Sequence, residues 1–153
     1  MAGHSLKFWT SPGTETECWE TPQGLFDFLN EVFSFNLDVC ALPENAKCPI
    51  FYSPDDDGLS QPWHGRCWMD PPYGRPIKAW VKKAHDEALA GHALVVALLP
   101  AKTDTTWWHD FVSTASVFFF RGRLRFNNSR ENAPFGSALA IWWPRPGAGE
   151  WWA

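Results

Sequence analysis

The chain of 153 residues is 45% apolar and 20% charged, which excludes a disordered polypeptide and leaves room for one domain with a proper core, not two. It holds no run of 18 uncharged apolar residues and no basic segment ahead of an apolar one, so neither a membrane span nor a secretory leader is expected and the chain reads as a soluble cytoplasmic protein. The net charge of −4 conceals an asymmetry: residues 1–70 carry 11 acids and 3 bases, residues 71–153 carry 6 acids and 10 bases, which suits a nucleic-acid face on the second part and equally suits ordinary solvated surface.

Residues 1–18 mix Gly, Ser, Thr, Pro and acids without periodicity and are expected to form a flexible arm. Thr21 then suits an N-cap, and Pro22 the first helical position, whose N–H is unpaired in any case. Leu25, Phe26, Leu29, Val32 and Phe33 follow at helical spacing and predict a core-facing helix. Residues 35–41 (FNLDVCA) read as a short buried strand, and Ile50-Phe51-Tyr52 as a second. Asp55-Asp56-Asp57-Gly58 is a loop whose adjacent carboxylates lack the alternation of a calcium site. Cys18, Cys40, Cys48 and Cys67 form no C-x2-C pair, so reduced thiols are expected and no metal.

Residues 66–69 predict a strand that runs into Asp70-Pro71-Pro72-Tyr73-Gly74. Behind it Pro76 opens a helix whose stripe of Ile77, Trp80, Val81, Ala84 and Ala88 ends at Gly91. Residues 93–99 (ALVVALL) are a continuous apolar run, the pattern of a parallel strand buried on both faces, and strand, helix, strand of these lengths make a βαβ unit. A short helix carrying Trp107, Trp108 and Phe111 comes next, then strands at 116–120, 124–126 and 137–143, with a polar loop at 127–134. The expected fold is α/β, a mostly parallel sheet flanked by helices, with one domain over residues 19–144 and a tail at 145–153.

The chemistry concentrates on the loop after residue 69. Each proline fixes φ near about −65° and removes a backbone donor, so the loop is rigid and rich in acceptors. It lies at a strand's carboxyl end, where open α/β sheets bind ligands. An exocyclic amine on a nucleobase is a poor nucleophile because its lone pair is delocalised into the ring. If the Asp70 carboxylate and the Pro71 carbonyl accept its two hydrogens, the nitrogen moves toward a tetrahedral geometry and the lone pair becomes available. Tyr73 would hold the base by stacking, worth roughly 1–3 kcal/mol. Taken alone, the pentapeptide also fits a plain turn.

Seven pieces in one order extend the pattern: Trp19-Glu20-Thr21-Pro22, Phe35-Asn36-Leu37-Asp38, Asn45-Ala46-Lys47-Cys48, Asp56-Asp57-Gly58-Leu59, Asp70-Pro71-Pro72-Tyr73, Leu98-Leu99-Pro100-Ala101 with Thr103-Asp104-Thr105, and Arg121-Gly122-Arg123-Leu124 with Ala133-Pro134-Phe135. With these the sequence resembles the small phage-encoded DNA adenine methyltransferases of the Dam type, over about residues 19–144. The resemblance implies a Rossmann-like class I methyltransferase fold and site-specific transfer of a methyl group from S-adenosylmethionine to the 6-amino group of adenine in DNA, in the cytoplasm of a bacterial host. It implies that Asp70, Pro71, Pro72 and Tyr73 form the amino-methylation motif. Thr21 and Pro22 would touch the methionine end of the cofactor, Asp38 would pair with its α-amino group in the turn that also holds Cys40, Asp57 would reach its adenine, and Asp70 would border it. The turn at 38–42 has none of the glycines usual there, which shifts the expected weight of cofactor binding onto Thr21 and the Asp57 loop. The short interval from Asp38 to Asp70 implies a trimmed sheet.

A base inside the stack is out of reach, so the substrate adenine must be flipped out, at a cost of a few kcal/mol, or be met in unpaired DNA. Arg121, Arg123 and Arg125 alternate as in a strand, which places them on one face. With Lys102 and Arg130 they are the candidates for phosphate contact or base reading. Two other readings stay open on the residues alone: the same corner acting on another planar amine, such as cytosine in DNA, adenine in RNA or a protein glutamine, and a DNA-binding module without catalysis.

Overall fold

The computed structural model describes residues 16–146. In chain order they form β1 (Thr16–Glu17), α1 (Gln23–Phe33), β2 (Leu37–Asp38), β3 (Gly65–Met69), β4 (Tyr73–Gly74), α2 (Ile77–Leu89), β5 (Ala93–Pro100), α3 (Thr106–Asp110), β6 (Ser116–Phe119) and β7 (Ser137–Trp142), with single 3-10 turns at Gly58–Ser60 and Val112–Thr114. Five strands make one sheet in the order β2-β3-β5-β7-β6. Strand β3 runs parallel to β2 and β5, whereas β7 runs antiparallel to both β5 and β6. Four strands therefore point one way and β7 alone is reversed. This is the mostly parallel sheet expected, and it is trimmed: beyond β2 lies a single parallel bridge from Asp38 to Phe51, all that remains of the strand expected at 50–52.

Side-chain alternation along the central strands divides the core into two layers. Val95, Ala97 and Leu99 of β5 join Cys67 and Met69 in the layer under α2 and α3, while Leu94, Val96 and Leu98 join Trp68 in the layer under α1. The continuous apolar run of β5 is thus explained by burial on both faces. The α2 stripe of Ile77, Trp80, Val81, Ala84 and Ala88 is buried throughout, as its spacing requires.

Several local expectations are corrected. Helix α1 is capped by Pro22 rather than by Thr21, because the Thr21 hydroxyl is drawn to a distant carboxylate instead. Phe26 and Leu29 anchor α1, but Val32 is 64% exposed, on the wall of an open apolar groove shared with Phe118, Phe119 and Phe120. The strand expected at 35–41 narrows to Leu37–Asp38, where Cys40 begins to turn. No strand forms at 124–126: after Phe120 N–H bonds Ser137 O at 3.1 Å, Gly122 at φ +77° turns the chain off the ladder. Residues 16 and 17, expected in the flexible arm, instead pair with β4; residues 1–15 of that arm and residues 147–153 of the tail lie outside the described residues.

Candidate active site

The aligned strands bring their carboxyl ends to one edge of the sheet. Asp38 ends β2 and faces Trp68 of β3 in register, Asp70 follows β3, and Pro100 ends β5. Across this edge passes a strap of four residues, Cys18 to Thr21. Upstream of it, β1 is tied to β4 by Thr16↔Gly74 and Glu17↔Tyr73. In its middle, Asn127 N–H donates to Glu20 O at 3.0 Å, Glu20 N–H donates to the Asn128 side-chain oxygen at 3.1 Å, and Asn128 Nδ2 donates to Cys18 O at 3.0 Å. Trp19 packs against Phe126 and Phe135, ring centroids 5.3 and 5.4 Å away. Downstream, Thr21 Oγ1 donates to Asp70 Oδ2 at 2.5 Å.

Beneath the strap is a cavity lined by Thr21, Asp38, Cys40, Asp70 and Pro72 together with Cys18, Trp19, Leu42, Asn45, Lys47 and Trp68. Its free interior is about 40 Å³, less than a ligand of nucleoside size fills. Asp70 presents one oxygen to Thr21, while its Oδ1 is buried with no hydrogen-bond partner among the described residues. Burial pushes the Asp70 carboxyl well above the usual range, opposed by the Thr21 hydrogen bond. Asp38 is 2% exposed and accepts backbone N–H groups of Lys47 at 2.9 Å and Cys40 at 3.3 Å. Burial outweighs those two donors and pushes its carboxyl up to about 7. The Cys18 thiol is pushed up to about 11, chiefly by burial, so it stays a neutral wall of the cavity.

The remaining expected residues are placed differently. Tyr73 is 2% exposed. Its hydroxyl donates to Leu98 O at 3.1 Å, and its ring meets Phe135 at 5.5 Å and Phe126 at 6.5 Å, both edge-on. Pro71 is buried but does not line the cavity, and Pro22 stands outside it as the cap of α1. Asp57 is exposed, heads a 3-10 turn at φ 54° and accepts from Ser60 Oγ at 2.5 Å. That turn packs tightly on the segment after β2, because a Cβ on Gly58 would sit 2.3 Å from Val39 O. Trp19, Glu20, Asn45 and Lys47, which belong to two of the seven family pieces but were given no role, line the site together with Trp68. Lys47 acts through its backbone amide, which no side-chain pattern announces.

Lys102, Arg121, Arg123, Arg125 and Arg130 are all exposed. Pairing of Pro100 with Ser137 and of Phe119 with Ala138 brings the Lys102 loop and the arginine loop to the same end of the sheet as Asp70. The strand ladder expected for the arginines is absent; Arg121, Arg123 and Arg125 are exposed, Leu124 is half-buried and Phe126 is buried.

The family described as DNA N-6-adenine-methyltransferase (Dam) matches residues 10–143. The chain is 32% identical over 121 residues to the DNA N-6-adenine-methyltransferase of Haemophilus phage HP1 (strain HP1c1), a match spanning 76% of this chain and 69% of that protein. It is also 33% identical over 63 residues to YfdM of Escherichia coli (strain K12), itself named only provisionally as a methyltransferase, across 36% of this chain and 69% of that protein. A mostly parallel sheet with an acidic cavity at its carboxyl edge, a DPPY corner in that edge and a match over nearly the whole chain agree: the protein belongs to the Dam family of DNA N-6-adenine-methyltransferases and methylates the 6-amino group of adenine in DNA.

Proposed function

We propose that the cavity under the strap is the S-adenosylmethionine site and that Asp70 receives the adenine amine. The observation that carries this reading is Asp70 Oδ1, a buried carboxylate oxygen with no partner at the carboxyl end of β3. Three acids, Glu20, Asp38 and Asp70, and two indole rings line the cavity, a set that fits a ligand with an ammonium group, a sulfonium and a flat base. When bound, the cofactor supplies an electrophilic methyl group on positively charged sulfur. Asp38 and Asp70 offer the negative charge that holds it, Thr21 and Cys40 complete the wall, and Asp57 and Pro22 act from outside by shaping the neighbouring loop and helix.

Asp70 Oδ1 and the Pro71 carbonyl accept the two hydrogens of the amine, leaving the nitrogen lone pair directed at the methyl group, and Asp70 takes the proton released on transfer. Pro72 keeps that corner rigid. Orientation of this kind is worth about 7–11 kcal/mol of barrier. The Tyr73 ring is covered by Phe126 and Phe135 in this structure, so a flipped adenine stacks on it by displacing Phe135, the more exposed of the two. Lys102, Arg121, Arg123, Arg125 and Arg130 hold the opened backbone and select the site. These parts act as one domain, residues 19–144, working on DNA in a bacterial host.

The test is tritium transfer from labelled S-adenosylmethionine to unmethylated DNA, with nucleoside analysis, for the native chain and Asp70→Ala. Label in 6-methyladenine that vanishes in the variant, even at S-adenosylmethionine concentrations that saturate its weakened site, is the expected result. Undiminished transfer by Asp70→Ala would overturn the assignment.

A further inference from the structure

A carboxylate in a rigid loop still has a broad, two-fold torsion at its end, so its two oxygens exchange roles unless one of them is fixed. At Asp70 they are not equivalent: Oδ2 accepts from Thr21 Oγ1 at 2.5 Å, and Oδ1 is buried and unpartnered. Thr21 is itself 2% exposed and stands at the end of a strap tied by Asn127 and Asn128. Its hydroxyl hydrogen is committed to Asp70 and its helix-capping role is left to Pro22.

We propose that Thr21 is a positioning residue for methyl transfer, fixing the Asp70 carboxylate so that Oδ1 is the oxygen turned to the adenine amine. The inference rests on Asp70 being the amine acceptor. A hydrogen bond donated to an ionised carboxylate also favours that form over the neutral acid, and only the ionised form can accept both the threonine and the amine. Burial and the neighbouring Asp38 drive Asp70 the other way, and Lys47 and the Thr21 backbone N–H oppose them. The Tyr73 hydroxyl lies against the same carboxyl, and all of these stay in place when the Thr21 hydroxyl is removed.

Thr21→Val keeps the shape and removes the donor, Thr21→Ser keeps the donor, and Thr21→Ala removes it without β-branching should valine fit poorly. Measured for each are kcat, its pH profile, KM for DNA and the calorimetric Kd for S-adenosylmethionine, with Asp70→Ala alongside. Expected for valine or alanine are a kcat, measured at saturating cofactor, lower by about 10- to 100-fold, as for a misplaced reacting group, a cofactor Kd that changes by a smaller factor than kcat, and an acid limb of the kcat profile moved to higher pH. Serine restores both rate and profile. A valine variant that loses cofactor affinity while keeping its kcat overturns the proposal, as does a folded serine variant that fails to recover. If Asp70→Ala keeps its kcat, the acceptor reading itself falls, a result the Thr21 variants alone would not produce.

Discussion

The side chain of Asn128 clasps the backbone at Glu20, accepting its N–H at 3.1 Å and donating in turn to the carbonyl of Cys18 at 3.0 Å. The loop that carries the arginines is thereby fastened to the strap that carries Thr21. Replacing Asn128 by Ala removes both bonds, and at about 0.5–1.5 kcal/mol per hydrogen bond the loss is about 1–2 kcal/mol for a site this exposed. Amide exchange at Glu20 should quicken while amides of β5 keep their protection, and methyl transfer should fall more than the melting temperature suggests. Asn128→Asp, which keeps only the acceptor, should be intermediate.

Asp38 makes the protein sensitive to pH near neutrality. Its carboxyl titrates at about 7 in the folded chain against about 3.9 unfolded, so the folded state holds the proton longer. Stability from this group is therefore greatest in acid and is lost as pH rises from about 4 to about 7. The difference in Tm between native protein and Asp38→Asn, measured from pH 4 to 8, should shift toward the variant over that window and then level. Affinity for S-adenosylmethionine should rise through the same window in the native protein, as the carboxylate ionises beside a cation, and stay flat in Asp38→Asn.

The hydroxyl of Tyr73 donates to Leu98 O and also lies within hydrogen-bonding reach of the Asp70 carboxyl. Tyr73→Phe removes the bond to Leu98 O and keeps the ring, so it should cost about 1 kcal/mol in denaturant unfolding and leave kcat within a few-fold of native. Tyr73→Ala empties a core position, costing about 3–5 kcal/mol, and should abolish transfer.

If Arg121, Arg123 and Arg125 contact phosphates, each Arg→Ala should reduce the slope of log affinity against log salt by about 0.9, read by fluorescence anisotropy on a fixed duplex. A guanine-reading arginine would instead lose about 1–3 kcal/mol of discrimination. Arg145, whose backbone N–H bonds Ala88 O beyond α2, serves as the control and should leave the slope unchanged.

Elements that follow from local periodicity were legible in the chain. The α2 stripe and the unbroken apolar run of β5 are buried as their patterns demand, and the DPPY corner does sit at a strand's carboxyl end. What escaped depends on residues distant in sequence. A threonine before a proline looks like a helix cap, but Thr21 meets Asp70, 49 positions away, and a charge-assisted bond to a buried carboxylate outcompetes a local one. Glu20 and Asn128 are 108 positions apart. The arginines are exposed, but the strand ladder that was to set them on one face is absent, because one glycine at positive φ ends β6 pairing. For Tyr73 the motif gives the ring, while its cover comes from Phe126 and Phe135 on another loop.

The strap separates having a fold from having an activity. A chain begun at Gln23 would retain α1, α2 and every strand of the main sheet. It would lose the partner of β4, the indole wedged between Phe126 and Phe135, and the hydroxyl on Asp70. Such a shortened protein should be compact by scattering and helical by circular dichroism, yet inert toward DNA. Any protease that nicks the chain between Cys18 and Pro22 would act as an off-switch without unfolding the molecule.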